Sequence, residues 1–110
     1  MGGFLRGGMA TLLDVAAAVL DGLGFDQAYS DVTAQRAKNV VYTNSTGRPL
    51  FVCITGTASS VAGSIYVDGV CVGWLSTVAQ QGNQFIVPPG STYELSQAGG
   101  TVVYLWGELF

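Results

Sequence analysis

Seven carboxylates, four cations and two thiols are the groups this 110-residue chain offers for acid–base, nucleophilic or metal chemistry, and it has no histidine. The missing imidazole removes the commonest general base and the commonest metal ligand together. Cys53 and Cys71 are the only thiols. Two cysteines alone cannot complete a four-ligand zinc site, and with no histidine beside it neither has the usual activation to thiolate. Lys38 is the single lysine, so a serine–lysine dyad would have to run through it. Glycoside hydrolysis needs two acids across a cleft. The candidates Asp68, Glu94 and Glu108 read instead as structural. Asp68 precedes Gly69 in a hairpin signal, and the two glutamates fall on strands near each end of the fold.

The glycine-rich start, Met1 to Gly8, lacks the preceding strand and the Gly-Lys-Ser/Thr ending of a phosphate loop. Asn44-Ser45-Thr46 fits a glycosylation acceptor, which matters only on a secretory route, and no secretory signal is read here. In that setting Cys53 and Cys71, each inside an apolar run, are expected to be reduced and buried. The expectation is a protein that is not an enzyme, with no catalytic, cofactor-binding or metal-binding residues and no cofactor.

Aromatic side chains are the remaining candidates. Trp74, Tyr66, Tyr93, Tyr104 and Trp106 all fall on expected strands. Strand alternation puts Tyr104 and Trp106 on one face and Val103, Leu105 and Leu109 on the other, so one of the two must face outward or against a partner. Exposed aromatics on a sandwich stack on sugar rings or fill subunit interfaces. Trp74, Tyr104, Trp106 and Phe110 are the candidates for an oligomer interface or receptor contact.

The elements that must position these groups divide the chain in two. Residues 1–24 are expected to form a glycine-rich arm and an amphipathic helix. Thr11 is the N-cap with Asp14 three positions on, and Leu12, Val15, Val19 and Leu23 share one helical face. Leu13, Ala16, Ala17 and Leu20 widen that face, and Gly22 and Gly24 supply the stop. So wide an apolar face requires burial, on its own domain or against copies of itself. Phe4 and Leu5 are the large apolar groups of the arm. With Leu12, Val15, Val19 and Leu23 they are the expected anchor to a partner.

Residues 25–110 are expected to be a β-domain. Tyr29 to Val32 and Thr33 to Lys38 are ambiguous between strand and helical turn. From Val40 the period is two, with strands at Val40–Thr43, Leu50–Thr55, Ser64–Val67, Val70–Leu75, Gln84–Val87, Thr92–Ser96 and Thr101–Leu109. Gly56–Ser60 and Thr77–Asn83 read as loops. Asp68-Gly69 between alternating apolar runs is a strong hairpin signal, and Pro88-Pro89-Gly90 a rigid turn. This is the pattern of a mainly β protein, an antiparallel β-sandwich or jelly roll with a short N-terminal helix and arm.

Charged residues make up 10% of the chain, and from Pro49 to Phe110 they are Asp68, Glu94 and Glu108. Soluble domains carry about a quarter. A surface of Thr, Ser, Gly and aliphatic groups is poorly protected against association, so a homo-oligomer, with a trimer favoured, is expected. Net charge is −3 with four basic residues, which cannot lay a phosphate-tracking stripe, so no nucleic-acid partner is expected. Asp14 and Asp21 interrupt the apolar Met9–Phe25 stretch, which is also shorter than the roughly 20 residues of a bilayer span, so no membrane insertion is expected.

Four blocks resemble a motif of small tailed-bacteriophage tail and fibre-associated proteins. They are Tyr29-Ser-Asp-Val-Thr-Ala-Gln-Arg36, Tyr42-Thr-Asn-Ser-Thr-Gly-Arg-Pro49, Val87-Pro-Pro-Gly-Ser-Thr-Tyr93 and Trp106-Gly-Glu-Leu109, with Val67-Asp68-Gly69 as the glycine hairpin. The resemblance covers Gly24 to Phe110. It implies a virion protein made in the host cytoplasm, a β-sandwich, trimeric association and no enzyme activity. The partner it implies is another virion protein of tail or capsid, with a host surface glycan as a further candidate. The apolar Leu109-Phe110 end departs from the polar or basic terminus of that group, and residues 1–23 lie outside the match. The resulting expectation is a tail fibre, fibre-tip or adsorption component. The alternatives are a capsid decoration or head-fibre protein and, in another class, a carbohydrate-binding module using Trp74 or Trp106.

Overall fold

Period-two alternation from Leu50 onward gives each strand one apolar face, and two such faces must close on each other to leave water. The computed structural model describes residues 22–59 and 61–110. They form β1 (Tyr29–Asp31), a single 3-10 turn (Thr33–Gln35), β2 (Tyr42–Thr43), β3 (Leu50–Ala58), β4 (Gly63–Val67), β5 (Val70–Leu75), β6 (Gln81–Val87), β7 (Thr92–Ser96) and β8 (Thr101–Leu109). Two four-stranded antiparallel sheets result, sheet A in the order β1-β8-β3-β6 and sheet B in the order β2-β7-β4-β5. The pairs β1–β8, β2–β7, β3–β6 and β4–β5 are those of one long hairpin folded over on itself. That is the topology of a jelly roll.

The tip of this ribbon is the Asp68-Gly69 turn. Val67 pairs with Val70, and both turn residues have positive φ, 49° and 79°, as a two-residue type I′ turn requires. Gly90, at φ 80°, follows Pro89 in a turn closed by the Ser91 N–H donating to the Pro88 carbonyl at 3.1 Å. That is the pattern of a type II turn. The core lies between the sheets. Val52, Ile54, Ile65, Leu75, Val87 and Leu95 are fully buried, with Leu50, Phe85, Tyr93 and Trp106 beside them.

Four expectations are corrected. Strand β3 continues through Ala58, and β6 begins at Gln81, so the polar stretches read as loops are partly strand. They lie in the ladder because their partners on β6 and β8 hold the backbone there. The shared face of Tyr104 and Trp106 is the second correction. Thr55 pairs with Leu105 but Gly56 pairs with Val103, so Tyr104 is an extra residue in β8. Such a bulge shifts the phase of a strand by one residue. Val103 therefore packs on the core from one side of the bulge and Trp106 from the other, while Tyr104 and Leu105 both face outward. Third, the thiols are free but not both buried. Cys53 is half-buried on sheet A and Cys71 is exposed on edge strand β5 of sheet B. Fourth, Leu23, read as the last helical position, lies in a turn ahead of Gly24, whose φ is 89°. The rest of the expected helix and arm, including Phe4, Leu5, Leu12, Val15 and Val19, lies outside the described residues. No helix among the described residues is long and apolar enough to cross a membrane.

Candidate functional site

Burying a carboxylate is costly unless its charge and its lone pairs are all met. Glu108, on β8, is 1% exposed and meets that condition. Arg36 grips it in a two-point fork, Nε to Oε2 at 3.0 Å and Nη2 to Oε1 at 2.8 Å. The Tyr93 hydroxyl donates to Oε2 at 2.8 Å, and the Trp106 indole N–H donates to the same oxygen at 3.1 Å. The Arg36 guanidinium also lies 4.9 Å from the centroid of the Tyr42 ring. Tyr42 in turn contacts Tyr93 at 5.7 Å and meets Trp106 edge-on at 6.0 Å.

The members come from four pieces of backbone: β8, β2, β7 and the segment after the 3-10 turn. Glu108 and Trp106 are on sheet A, Tyr42 and Tyr93 on sheet B, and Arg36 on the crossing between them. The 3-10 turn that delivers Arg36 is tied down locally. Val32 N–H donates to the Trp106 carbonyl at 2.8 Å, and Trp106 N–H donates to Thr33 Oγ1 at 2.9 Å. Asp31 Oδ1 accepts from the Thr33 amide and hydroxyl, and these bonds hold the Asp31 carboxyl below its usual pKa. The hydrogen bond to Glu108 raises the Arg36 pKa further above its ordinary value. Burial pushes the Tyr93 hydroxyl well up, and the bond to Glu108 adds to that. Tyr93 therefore stays a protonated donor across the usual pH range.

Two other polar groups are buried among the described residues, and both are fasteners too. Asn44 Nδ2 donates to the carbonyls of Arg48, Val87 and Pro88, at 2.7, 2.9 and 3.3 Å. Its Oδ1 accepts from the Thr46 amide at 3.1 Å and the Thr46 hydroxyl at 2.7 Å. Asn44 thus knots the Tyr42–Pro49 block to the Val87–Tyr93 block. Gln97 Nε2 bonds the Val61 and Gly100 carbonyls at 2.7 and 3.0 Å. Asn39 Nδ2 and Oδ1 close on the Gln97 backbone at 2.9 and 2.8 Å. Lys38 Nζ reaches the Gly99 carbonyl and Gln97 Oε1.

Beside the Glu108 cluster is a pocket of about 110 Å³ lined by Arg36, Thr43–Thr46, Leu50, Tyr93, Glu108 and Phe110. Ligand pockets usually measure about 300–1,000 Å³, so this one takes water and little more. The carboxylate at its base already accepts four hydrogen bonds. Its chemistry is that of a cross-brace, and a proton or a metal ion would have to displace those donors.

The opposite edge is different. Strand β5 is exposed at Val70, Cys71, Val72 and Trp74, and Trp74 is 53% exposed. Trp74 faces outward beside Ser64, and Ser64 pairs with Ser96 on its other side. Cys71, Tyr66 and Glu94 form the next outward row. The sheets are tied here by Asn83 of β6, whose Nδ2 donates to the Trp74 carbonyl at 2.9 Å. The side chain passes over Gly73, where a Cβ would lie 2.5 Å from its Oδ1.

Of the expected contact residues, Trp74, Tyr104 and Phe110 are exposed. Trp106 is corrected: it is 1% exposed and spends its indole N–H on Glu108. Phe110 lies close to β1, its backbone bonding Ala28 in both directions at 3.0 and 3.1 Å. Reading the sequence missed the Arg36–Glu108 pair, which bridges 72 positions. One signal was available: each of the four motif blocks supplies at least one polar or aromatic member of the knotted end. No family model matches this chain, and no curated protein and no solved structure matches it.

Proposed function

We propose that this protein is a structural component of a tailed-phage virion: a self-associating jelly roll, favoured as a homotrimer, serving as a tail fibre, fibre-tip or adsorption component. Residues 1–24 are its anchor to a neighbouring virion protein, with Phe4 and Leu5 as the engaging side chains. The observation that carries the reading is how the charged groups are spent. Of the three charges between Pro49 and Phe110, Glu108 is consumed inside the fold. Asp68 and Glu94 are left for that whole stretch of surface, which is the surface of a part that works covered by other chains. The blocks that resemble phage tail proteins are the ones that knot the two sheets together, so the resemblance bears on the architecture as much as on isolated residues. Self-association is assigned to the β5 edge, where Val70, Val72 and Trp74 stand exposed on an uncharged strand.

A second reading has its own support. Trp74 offers a ring face beside the Ser64 and Ser96 hydroxyls, with Tyr66 and Glu94 in the neighbouring row. Aromatic faces flanked by hydrogen-bonding groups suit a glycan. A fibre tip that binds a host glycan combines the two.

Quantitative mass spectrometry of purified particles of the phage encoding this chain tests the proposal. Tens of copies per particle are expected for a fibre component. Hundreds would move it to the capsid surface as a decoration protein, and absence from particles would overturn the virion assignment.

A further inference from the structure

A sheet edge presents unpaired backbone groups, and a long apolar edge recruits further strands unless it is guarded. Sheet A ends at β1 and β6, and sheet B at β2 and β5. Strands β1 and β2 have three and two residues, and edges that short make poor templates. Strand β5 is another matter. Its six residues, Val70-Cys-Val-Gly-Trp-Leu75, carry no charge and no proline. Uncharged segments of that length, rich in β-branched and aromatic residues, are the ones that stack into cross-β aggregates. Charge, the commonest guard of an edge, is missing here.

The fold supplies other guards. Ile65 pairs with Gly73 and Tyr66 pairs with Cys71, which leaves Val72 as an extra residue on β5. An added antiparallel strand bonds an edge in regular alternation, and a bulge bends the edge and breaks that alternation. Past the bulge, the backbone is already engaged. Asn83 of β6 lies over Gly73 and donates from Nδ2 to the Trp74 carbonyl at 2.9 Å. The Ser76 N–H donates to Gln81 Oε1 at 3.2 Å, and the Ser76 carbonyl accepts from the Ala58 N–H at 3.0 Å. Gln81 and Asn83 are alternate residues of β6, opposite Gly56 and Ile54 of β3, so both leave their strand on the face turned toward sheet B. Two side-chain amides of one sheet thus occupy backbone groups that a fifth strand on the other sheet would need.

We infer that the β5 edge is closed to strand addition by a latch, the Val72 bulge together with the Gln81 and Asn83 amides, so that a partner at this edge meets side chains and not backbone. That the partner is a second copy rests on the self-association proposed for this edge; the closure does not.

The test opens the latch in the full-length chain. Gln81→Ala and Asn83→Ala, combined with deletion of Val72, should speed thioflavin-positive assembly at least about tenfold over the parent chain, under conditions where circular dichroism shows both folded. Asn44→Ala loosens the knotted end and leaves the latch intact, so it should stay within about twofold of the parent. A second measurement needs no variant. An added strand would bond the Trp74 N–H, so hydrogen exchange at that amide in the parent chain should slow by less than about tenfold between dilute and concentrated protein. A folded opened variant that falls short of the tenfold gain, an Asn44→Ala chain that assembles as fast as the opened one, or a larger slowing at Trp74 would each overturn the inference. Light scattering of the same samples reports self-association separately. A monomeric parent chain would fail the trimer and not the latch, because the opened variant must still assemble.

Discussion

The two tryptophans mark two regions that share a residue type and differ in everything else. Around Trp106, strand β8 lies between β1 and β3, and a bulge turns the indole inward, where it meets Tyr42 and donates to Glu108. Around Trp74, strand β5 is at the edge of its sheet, and its side chains stand largely in solvent. The closed end holds the Arg36–Glu108 ion pair with each carboxylate oxygen engaged. The β5 edge is held to the other sheet by the buried Leu75, by Asn83 reaching the Trp74 carbonyl over Gly73, and by Ser76 just beyond the strand, which bonds Ala58 and Gln81. The difference teaches that two tryptophans of one chain are spent differently: Trp106 is spent on cohesion between the sheets, and Trp74 is left in solvent at a sheet edge. A glutamate among aromatics, a pattern that elsewhere signals catalysis, is here what keeps two sheets registered.

The sharpest way to break the comparison is at Glu108. Glu108→Ala leaves Arg36 without its counter-charge, and the Tyr93 hydroxyl and the Trp106 indole N–H without an acceptor. Loss of one partner of a buried pair costs about 3–5 kcal/mol, which urea unfolding should register as a large fall in midpoint. A loss under about 1 kcal/mol would mean that the closed end is not where cohesion resides.

An intermediate effect is expected at the edge. Gly73→Ala places a methyl against Asn83 Oδ1 and should cost about 1–3 kcal/mol, the usual penalty for overpacking. Asn83→Ala removes the obstruction, so the double variant should be more stable than the sum of the two single losses predicts. Additive losses, measured by the same unfolding assay, would show that the Asn83 bridge does not act across Gly73.

The smallest stability effect is expected at Trp74. Trp74→Glu should change unfolding stability at low protein concentration by no more than about 0.5 kcal/mol, as at most surface sites. If the proposed trimer forms through the β5 edge, the variant should nevertheless shift the light-scattering mass from trimer toward monomer, because the added charge falls on that edge. An unchanged trimer would move that interface elsewhere.

The sequence by itself determined the class of the fold. Period-two alternation, the Asp68-Gly69 turn and the Pro88-Pro89-Gly90 turn are local signals, and local sterics decide them. That is why strands β4, β5, β7 and β8 are found at or within a residue of where the pattern puts them. Tertiary structure decided the rest. Whether Trp106 points in or out depended on one extra residue in β8 opposite β3, which no alternation within β8 reveals. Whether Glu108 was a surface acid or a buried brace depended on Arg36, which is delivered from 72 positions away by a short turn whose own sequence is ambiguous. The exposure of Cys71 against the half-burial of Cys53 depended on which strand lies at an edge. Alternation tells which residues share a face of a strand. Only the pairing of strands distant in sequence tells which face is covered, because burial belongs to the sheet and its neighbours and not to the strand alone.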